Sequence, residues 1–493
     1  MDDVKNSQAR YYFRRLMLVF GIIAAIAIIT FIYKDTKKGL FNSADFKDIK
    51  AQIEAACDSF ETNDDMAEFI AKWADKECLK YHIDDAGNII LRTKAKSSKS
   101  SEDPVVVCAS YNSKTASKNT DLLASALYIA RSEIRSTEYT VILFNNKKGD
   151  FRGYKNISKS YFTKDSDVIY LDYGSSTYAS LQSFNELKAS YVIKKKMKPV
   201  TCDTLVHLHI AGVDTDEITS RISSQPNPIT AFGTVLAQLE SKSSRYELAN
   251  IKVVNEGNMF PTSLDADILV NSYSVESLTD YLDDRIESFE DKYKGDFPNI
   301  EYTYEVIDDE SKLPAERYSD AVCKTINNII YTFNNGTYRF DKEDEIPTGY
   351  EKDEVYGINS LEQLREKDDT IILDICTQAL TNAYLKKIED ENKTIARISS
   401  CSYVRGEKVE NFYETDTDFY NLLNFTYLKV NDVISRNMII KQKIDHYFTP
   451  CSYLQDINPE MDIIHLSMDE DSVKLITNTI LCYIDSLGNF LSL

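Results

Sequence analysis

Residues 105–113 read VVVCASYNS, and this stretch sets the architecture. Val105–Ala109 is apolar without alternation, as in a strand covered on both faces, and the chain turns polar directly after it. Downstream, Asp121–Ile134 carries an apolar stripe at helical spacing, and Tyr139–Phe144 and Val168–Leu171 are further short apolar runs. Upstream, Leu79–Ile83 and Asn88–Arg92 flank Asp84, Asp85 and Gly87, which suits a hairpin. Residues 45–80 show helical spacing through Ile53, Phe60, Ile70 and Trp73. Strand–helix–strand alternation predicts an α/β fold, with a mixed, mostly parallel central sheet and helices on both faces.

Residues 203–306 have a different rhythm. Leu205–Ile210, Ile251–Val254, Ala266–Val270 and Tyr302–Ile307 read as strands, while Pro228–Leu239 and Val275–Tyr293 read as helices. This predicts an α+β insert between two parts of one α/β domain, residues 40–202 and 307–493. The second part is expected to hold helix 315–332, strand 370–375 and a C-terminal helix at 471–487. Residues 335–368 are polar and read as a long surface loop.

The 493-residue chain has 57 Lys and Arg against 78 Asp and Glu, a net charge of −21. That balance argues against nucleic-acid binding. Nine cysteines are scattered with no CxxC pair, so neither a structural zinc site nor a disulfide framework is indicated. Residues 16–33 read LMLVFGIIAAIAIITFIY, eighteen residues without a charge, long enough to span a bilayer. No small-residue cleavage site follows. The expectation is a single-pass protein of the cell membrane: residues 1–15 as a cytoplasmic tail, 16–33 as the transmembrane helix, and the remainder extracytoplasmic.

Three motifs carry a resemblance: ASYNS at 109–113, NNKKGDFRG at 145–153 and YFTP at 447–450. In order and spacing they resemble the co-catalytic zinc exopeptidase superfamily. The core looks like aminopeptidase family 28, and the 203–306 insert looks like the lid or dimerisation domain of family 20. The insert's cues are Gly212, Asn227-Pro228-Ile229 and Asn258-Met259-Phe260-Pro261. The resemblance assigns metal-site roles residue by residue. Ser110 stands where the family has a zinc-binding His, and Asn112 where an Asp orients that His. Asn119, or else Asp121, occupies the region of the bridging Asp; helix register favours Asn119. Lys147 and Lys148 replace a general-base Glu and a ligand Glu. Asp172 fits a ligand carboxylate, and Phe448 takes the place of the last His. The lid's substrate-touching His and Arg fall near Asp216 and Asn271.

Zinc needs imidazole, thiolate or carboxylate donors, usually three of them from a catalytic protein site. Two lysines in place of two carboxylates would repel a dication. The resemblance therefore implies a catalytically inactive, peptidase-like protein with no metal or cofactor. It would bind a peptide or protein partner outside the cytoplasm, with a possible homodimer through the insert. Two alternatives stand beside this. One is a divergent metal-dependent peptidase, with zinc re-sited on Asp172, Asp121, His446 and Asp416 or Asp418. The other is a structural subunit of an envelope or secretion complex. Lys147 or Lys148 could also pair with Asp172 and fill the metal pocket with a fixed cation. His207 and His209 read as a satisfied strand pair, His465 as a surface cap before the last helix, and Cys108 as a thiol without a His partner.

Overall fold

The protein is described here by a computed structural model covering residues 41–93, 105–132, 138–146, 151–213, 226–242, 245–255, 260–295, 297–341, 346, 350–415, 417–430 and 440–490. The expected tail and anchor (residues 1–33), Lys147, Lys148, Asp216 and Asp416 lie outside the described residues. Among the described residues, no helix is long and apolar enough to cross a membrane.

In chain order the strands are β1 (Lys80–Ile83), β2 (Ile89–Thr93), β3 (Val105–Tyr111), β4 (Tyr139–Asn145), β5 (Asp167–Tyr173), β6 (Tyr178–Ser180), β7 (Asn185–Lys194), β8 (Met197–Pro199), β9 (Thr204–Ala211) and β10 (Tyr246–Val254). They continue as β11 (Ser263–Val270), β12 (Glu301–Ile307), β13 (Glu316–Tyr318), β14 (Gly336–Arg339), β15 (Val355–Lys367), β16 (Thr370–Ala379), β17 (Ser402–Val409), β18 (Lys441–Lys443) and β19 (Asp462–Met468).

The first sheet has eight strands in the order β1-β2-β4-β3-β5-β19-β6-β18. Its centre, β4-β3-β5-β19, is parallel throughout. The β1–β2 pair is the expected hairpin, antiparallel and closed by Gly87 at φ +84°. The unalternating VVVCA run follows from cover on both faces. Val105, Val107 and Ala109 pack with the helices Ser43–Ala56, Thr120–Arg131 and Val473–Phe490. Val106 and Cys108 turn to the opposite side, with Tyr154, Tyr170, Phe448 and Leu454. The expected single helical stretch at 45–80 is two helices, Ser43–Ala56 and Asn63–Lys76, separated by a tight turn at Cys57–Ser59. A capping box between Thr62 and Asp65 starts the second of them.

The second sheet has nine strands, running β12-β9-β11-β10-β15-β16-β7-β17 with β14 against β15. Every pairing in it is antiparallel. Three expectations are corrected by it. The strand expected at 370–375 is β16, and it pairs with β15 and β7 rather than joining the first sheet. The helix expected at 315–332 spans Asp320–Thr332 and packs its buried face, Val322, Ile326 and Ile329, into the core of the second sheet. The stretch expected as surface loop, 335–368, supplies β14 and the thirteen-residue β15. Its polar Asn359 is buried because Asn392 and Thr377 donate to its side-chain oxygen at 3.1 and 2.7 Å.

The two sheets meet where β6 leads into β7. There Ser183 N–H donates to the Phe412 carbonyl at 2.9 Å and Phe184 N–H to the Tyr447 carbonyl at 3.0 Å. A cleft opens on one side of this junction.

Candidate functional site

The cleft, of about 1330 Å³, has as its floor the C-terminal ends of β3, β5 and β19. Its roof is one face of β7, β15, β16 and β17. Parallel strands carry their loops at the same end, which is where α/β sheets place ligands. Ser110, Asn112, Asn119, Asp172 and Phe448, far apart in sequence, all line this one cleft.

Each floor residue has a local reason for its position. Ser110 is the next-to-last residue of β3. Asn112 caps the short turn after it, its Oδ1 accepting from Lys114 N–H at 3.1 Å. Asn119 precedes the helix Thr120–Arg131 and donates to Thr115 Oγ1 at 3.1 Å. Asp121, the other candidate for that role, is absent from the lining; it is 8% exposed and bound to Lys50 at 2.8 Å. Phe448 is buried, its ring edge-on to Phe151 and Tyr453 with centroids 5.6 and 5.5 Å away. Its N–H donates to Gln378 Oε1 of the roof at 2.8 Å, so the position that the resemblance gives to a ligand serves here to join floor and roof.

Asp172 is the one carboxylate among these positions, and its side chain is 41% exposed. Its Oδ1 accepts from Tyr173 N–H at 2.9 Å, and its Oδ2 lies 3.5 Å from His465 Nε2. His465 corrects an expectation: it is an interior residue of β19, 1% exposed, and not a surface cap. The apolar neighbours in DIIHLSM were the available signal. His465 Nδ1 meets Asp445 Oδ2 at 2.6 Å, and Asp445 Oδ1 accepts from Tyr178 O–H at 2.9 Å. Burial alone would strip the proton from His465. Asp445 and Asp172 together outweigh burial and hold its pKa up to about 10, so the ring is an imidazolium at neutral pH. Neither His465 nor Asp445 was legible as a site residue. His465 is the fixed cation beside Asp172, the role expected for a lysine.

The roof is densely charged, and its charges are paired with one another. Lys188 Nζ binds Glu362 at 2.6 Å and lies 3.9 Å from Glu186. Arg365 binds Asp374 at 2.7 Å, and Ser190 donates to the same carboxylate at 2.7 Å. Burial pushes the Glu362 carboxyl up against the pull of Lys188.

The remaining candidates are placed elsewhere. His446 borders the cleft, but its ring nitrogens face the Val355 carbonyl at 3.0 Å and Glu354 at 3.4 Å. Asp418 opens the helix Asp418–Val430, and Asn271 donates to Tyr273 O–H at 2.8 Å; neither lines the cleft. His207 and His209 pair across β9 and β11 with Asp267 and Asp265, at 2.7 and 2.6 Å. Cys108 is fully buried and burial pushes its thiol up, away from nucleophile chemistry.

Among the described residues, no three His, Cys, Asp or Glu are grouped to hold a metal ion. Among the described residues the floor offers one carboxylate, and the adjacent imidazolium has no lone pair to donate. These residues do not fit a two-zinc centre.

No protein-family profile matches the chain, and no curated protein matches it by sequence. Solved structures do match in shape. Aminoacylhistidine dipeptidase from Vibrio alginolyticus superposes with a TM-score of 0.54 at 12% identity, covering 86% of this chain and 93% of that one. Aminopeptidase PepT from Bacillus cereus gives 0.46 at 9% identity, covering 91% of this chain and 100% of that one. Human carnosine dipeptidase 1 gives 0.43 at 9% identity, covering 90% and 97%. The chain has a metallopeptidase-like fold.

Proposed function

We propose that the chain is a peptidase-fold binding protein, held at a membrane by residues 16–33, whose cleft takes a peptide or a protein segment without metal-dependent hydrolysis. One observation carries this reading: Asp172, the single metal-type donor among the five described floor positions, is shared with an imidazolium that Asp445 also holds. A dication brought to that floor would meet a positive charge about 3.5 Å from Asp172, the one carboxylate among the described floor residues. The test is zinc content by plasma mass spectrometry, after exposing the purified chain to excess zinc and desalting. Near-zero occupancy is expected; two zincs per chain would overturn the reading.

The shape shared with a dipeptidase favours a second reading, a metal-dependent peptidase. It would have to draw donors from residues such as Asp416, and it predicts zinc-dependent release of amino acids from short peptides. A homodimer through residues 203–306 is a further expectation, which sedimentation velocity would read directly.

A further inference from the structure

The nine-stranded sheet ends in β17, which pairs with β7 on one side and, among the described residues, with no strand on the other. Ser402, Val404, Arg405, Gly406 and Glu407 are exposed, Val404 by 50%. An edge strand turns every second N–H and C=O outward, a ready template for another chain. Proteins blunt such edges with charges. Here the basic residues are tied to their own chain, Arg405 to Glu389 at 3.0 Å and Lys408 to Glu410 at 2.6 Å.

The edge leads into the cleft. Val404 and Gly406 line it, beside Lys188 and Ser190. Tyr403 and Arg405 point the other way, toward Tyr191 and the helix Asn382–Ile398. At its inner end β17 reaches Val409, which packs in one cluster with Phe448. The β7–β17 register shifts between Arg405 and Lys408. Gly406 is required there, because a Cβ on it would stand 2.8 Å from the Lys188 carbonyl. The shift confines regular pairing at the outer end to Ser402–Arg405, a rail of roughly 13 Å at about 3.3 Å per residue.

We infer that this rail recognises the ligand of the cleft: an extended peptide segment pairs its main chain with Ser402–Arg405 as a tenth strand, its inner end directed toward Phe448. The inference rests on the peptide-binding reading above and adds how the peptide is held. Recognition through the main chain gives affinity with little sequence demand, and alternate side chains supply selectivity. Every second ligand side chain faces Val404 and the Lys188–Glu362 pair, and those between face the helix side. The ligand carries no proline at the alternate residues whose N–H meets the rail, since a missing N–H there breaks the ladder.

The experiment selects binders to the full-length chain from a random octapeptide library, then scans one binder with single N-methyl groups. Because the protein is untouched, misfolding cannot imitate the result. The expected pattern has a period of two: methylation at alternate residues weakens binding at least tenfold, and methylation between them changes it less than threefold. Val404→Pro and Arg405→Pro are compared, with circular dichroism as the folding control. The variant that removes the outward N–H is expected to lose binding while staying folded. A binder indifferent to methylation would overturn the rail and leave the peptide-binding reading intact. A library that yields no binder would overturn both. A concentration-dependent dimer that displaces the peptide would assign the edge to a second copy of the chain and overturn the peptide assignment.

Discussion

Floor and roof of the cleft manage charge in opposite ways. The floor sets Ser110, Asn112, Asn119 and Phe448 around Asp172, with Lys114, Lys118 and Lys443 also lining the cleft, and it buries one further cation beneath Asp172 as His465. The roof displays five charged groups, all paired: Lys188 with Glu186 on its own strand and with Glu362 two strands away, and Arg365 with Asp374 on the next strand. The floor therefore holds a cation that solvent does not reach. The roof holds one pair, Arg365–Asp374, exposed enough for a ligand to exchange for its own charges, beside the more buried Lys188–Glu362 pair. On the peptide-binding reading proposed above, a cleft of that kind grips a polar chain.

The largest expected effect attacks the floor. His465→Gln removes the positive partner of Asp445, whose side chain is 0% exposed, and leaves a buried carboxylate with only Tyr178 and nearby dipoles. Breaking a buried pair by removing one partner costs about 3–5 kcal/mol. Urea titration of variant and parent is the measurement. A loss below 1 kcal/mol would mean that the ring is not the floor's cation.

Gly406→Ala tests the roof's edge. The added Cβ would stand 2.8 Å from the Lys188 carbonyl, so β17 must move away from β7. Overpacking of this kind costs about 1–3 kcal/mol. If the bulge is rigid the cost appears in full, and the Lys188–Glu362 pair beside it is disturbed as well. An unchanged urea midpoint would show a slack edge.

Arg365→Met tests whether roof pairs are exchangeable. Arg365 is 45% exposed, and a solvent-screened pair with Asp374 contributes about 0–1 kcal/mol. The expected signature is a small stability loss that shrinks further with added salt. A loss of several kcal/mol, insensitive to salt, would make the roof as rigid as the floor and erase the contrast drawn above.

The contrast also explains which parts were legible in the sequence. The first sheet declares itself because a doubly covered parallel strand must be apolar throughout, as VVVCA is, and because the ends of β3 and β5 fall at abrupt polar breaks. Ser110, Asn112, Asn119, Asp172 and Phe448 come from the resemblance to the zinc exopeptidases, carried over residue by residue, and the structure brings all five to one cleft. The second sheet was half missed because β15 buries Asn359 and Ser360, residues that look like loop unless Asn392 and Thr377 are known to face them. His465 was misplaced for a related reason. A buried charge is stable only through partners distant in sequence, and Asp445 and Asp172 are twenty and nearly three hundred residues away. Local composition carries no trace of such a pairing.

The smallest effect is the most discriminating. Asp172→Asn removes a carboxylate whose side chain is 41% exposed, so solvent screening keeps the stability change near or below about 1 kcal/mol at neutral pH. Its signature is in alkali. The folded pKa of His465 is raised to about 10 from an ordinary value of 6.5. Charged-ring stabilisation is therefore complete below the ordinary value and is lost as pH rises through the folded one. The parent's melting temperature should fall from about pH 7 toward pH 10, and His465→Gln should flatten that limb. Asp172→Asn removes one of the two carboxylates that hold the proton, so its limb should begin at lower pH while Asp445 keeps the ring buried. Coincident limbs for Asp172→Asn and the parent would place the whole electrostatic hold on Asp445. The floor's exposed carboxylate would then be free to meet the ligand rather than spent on the protein's own cation.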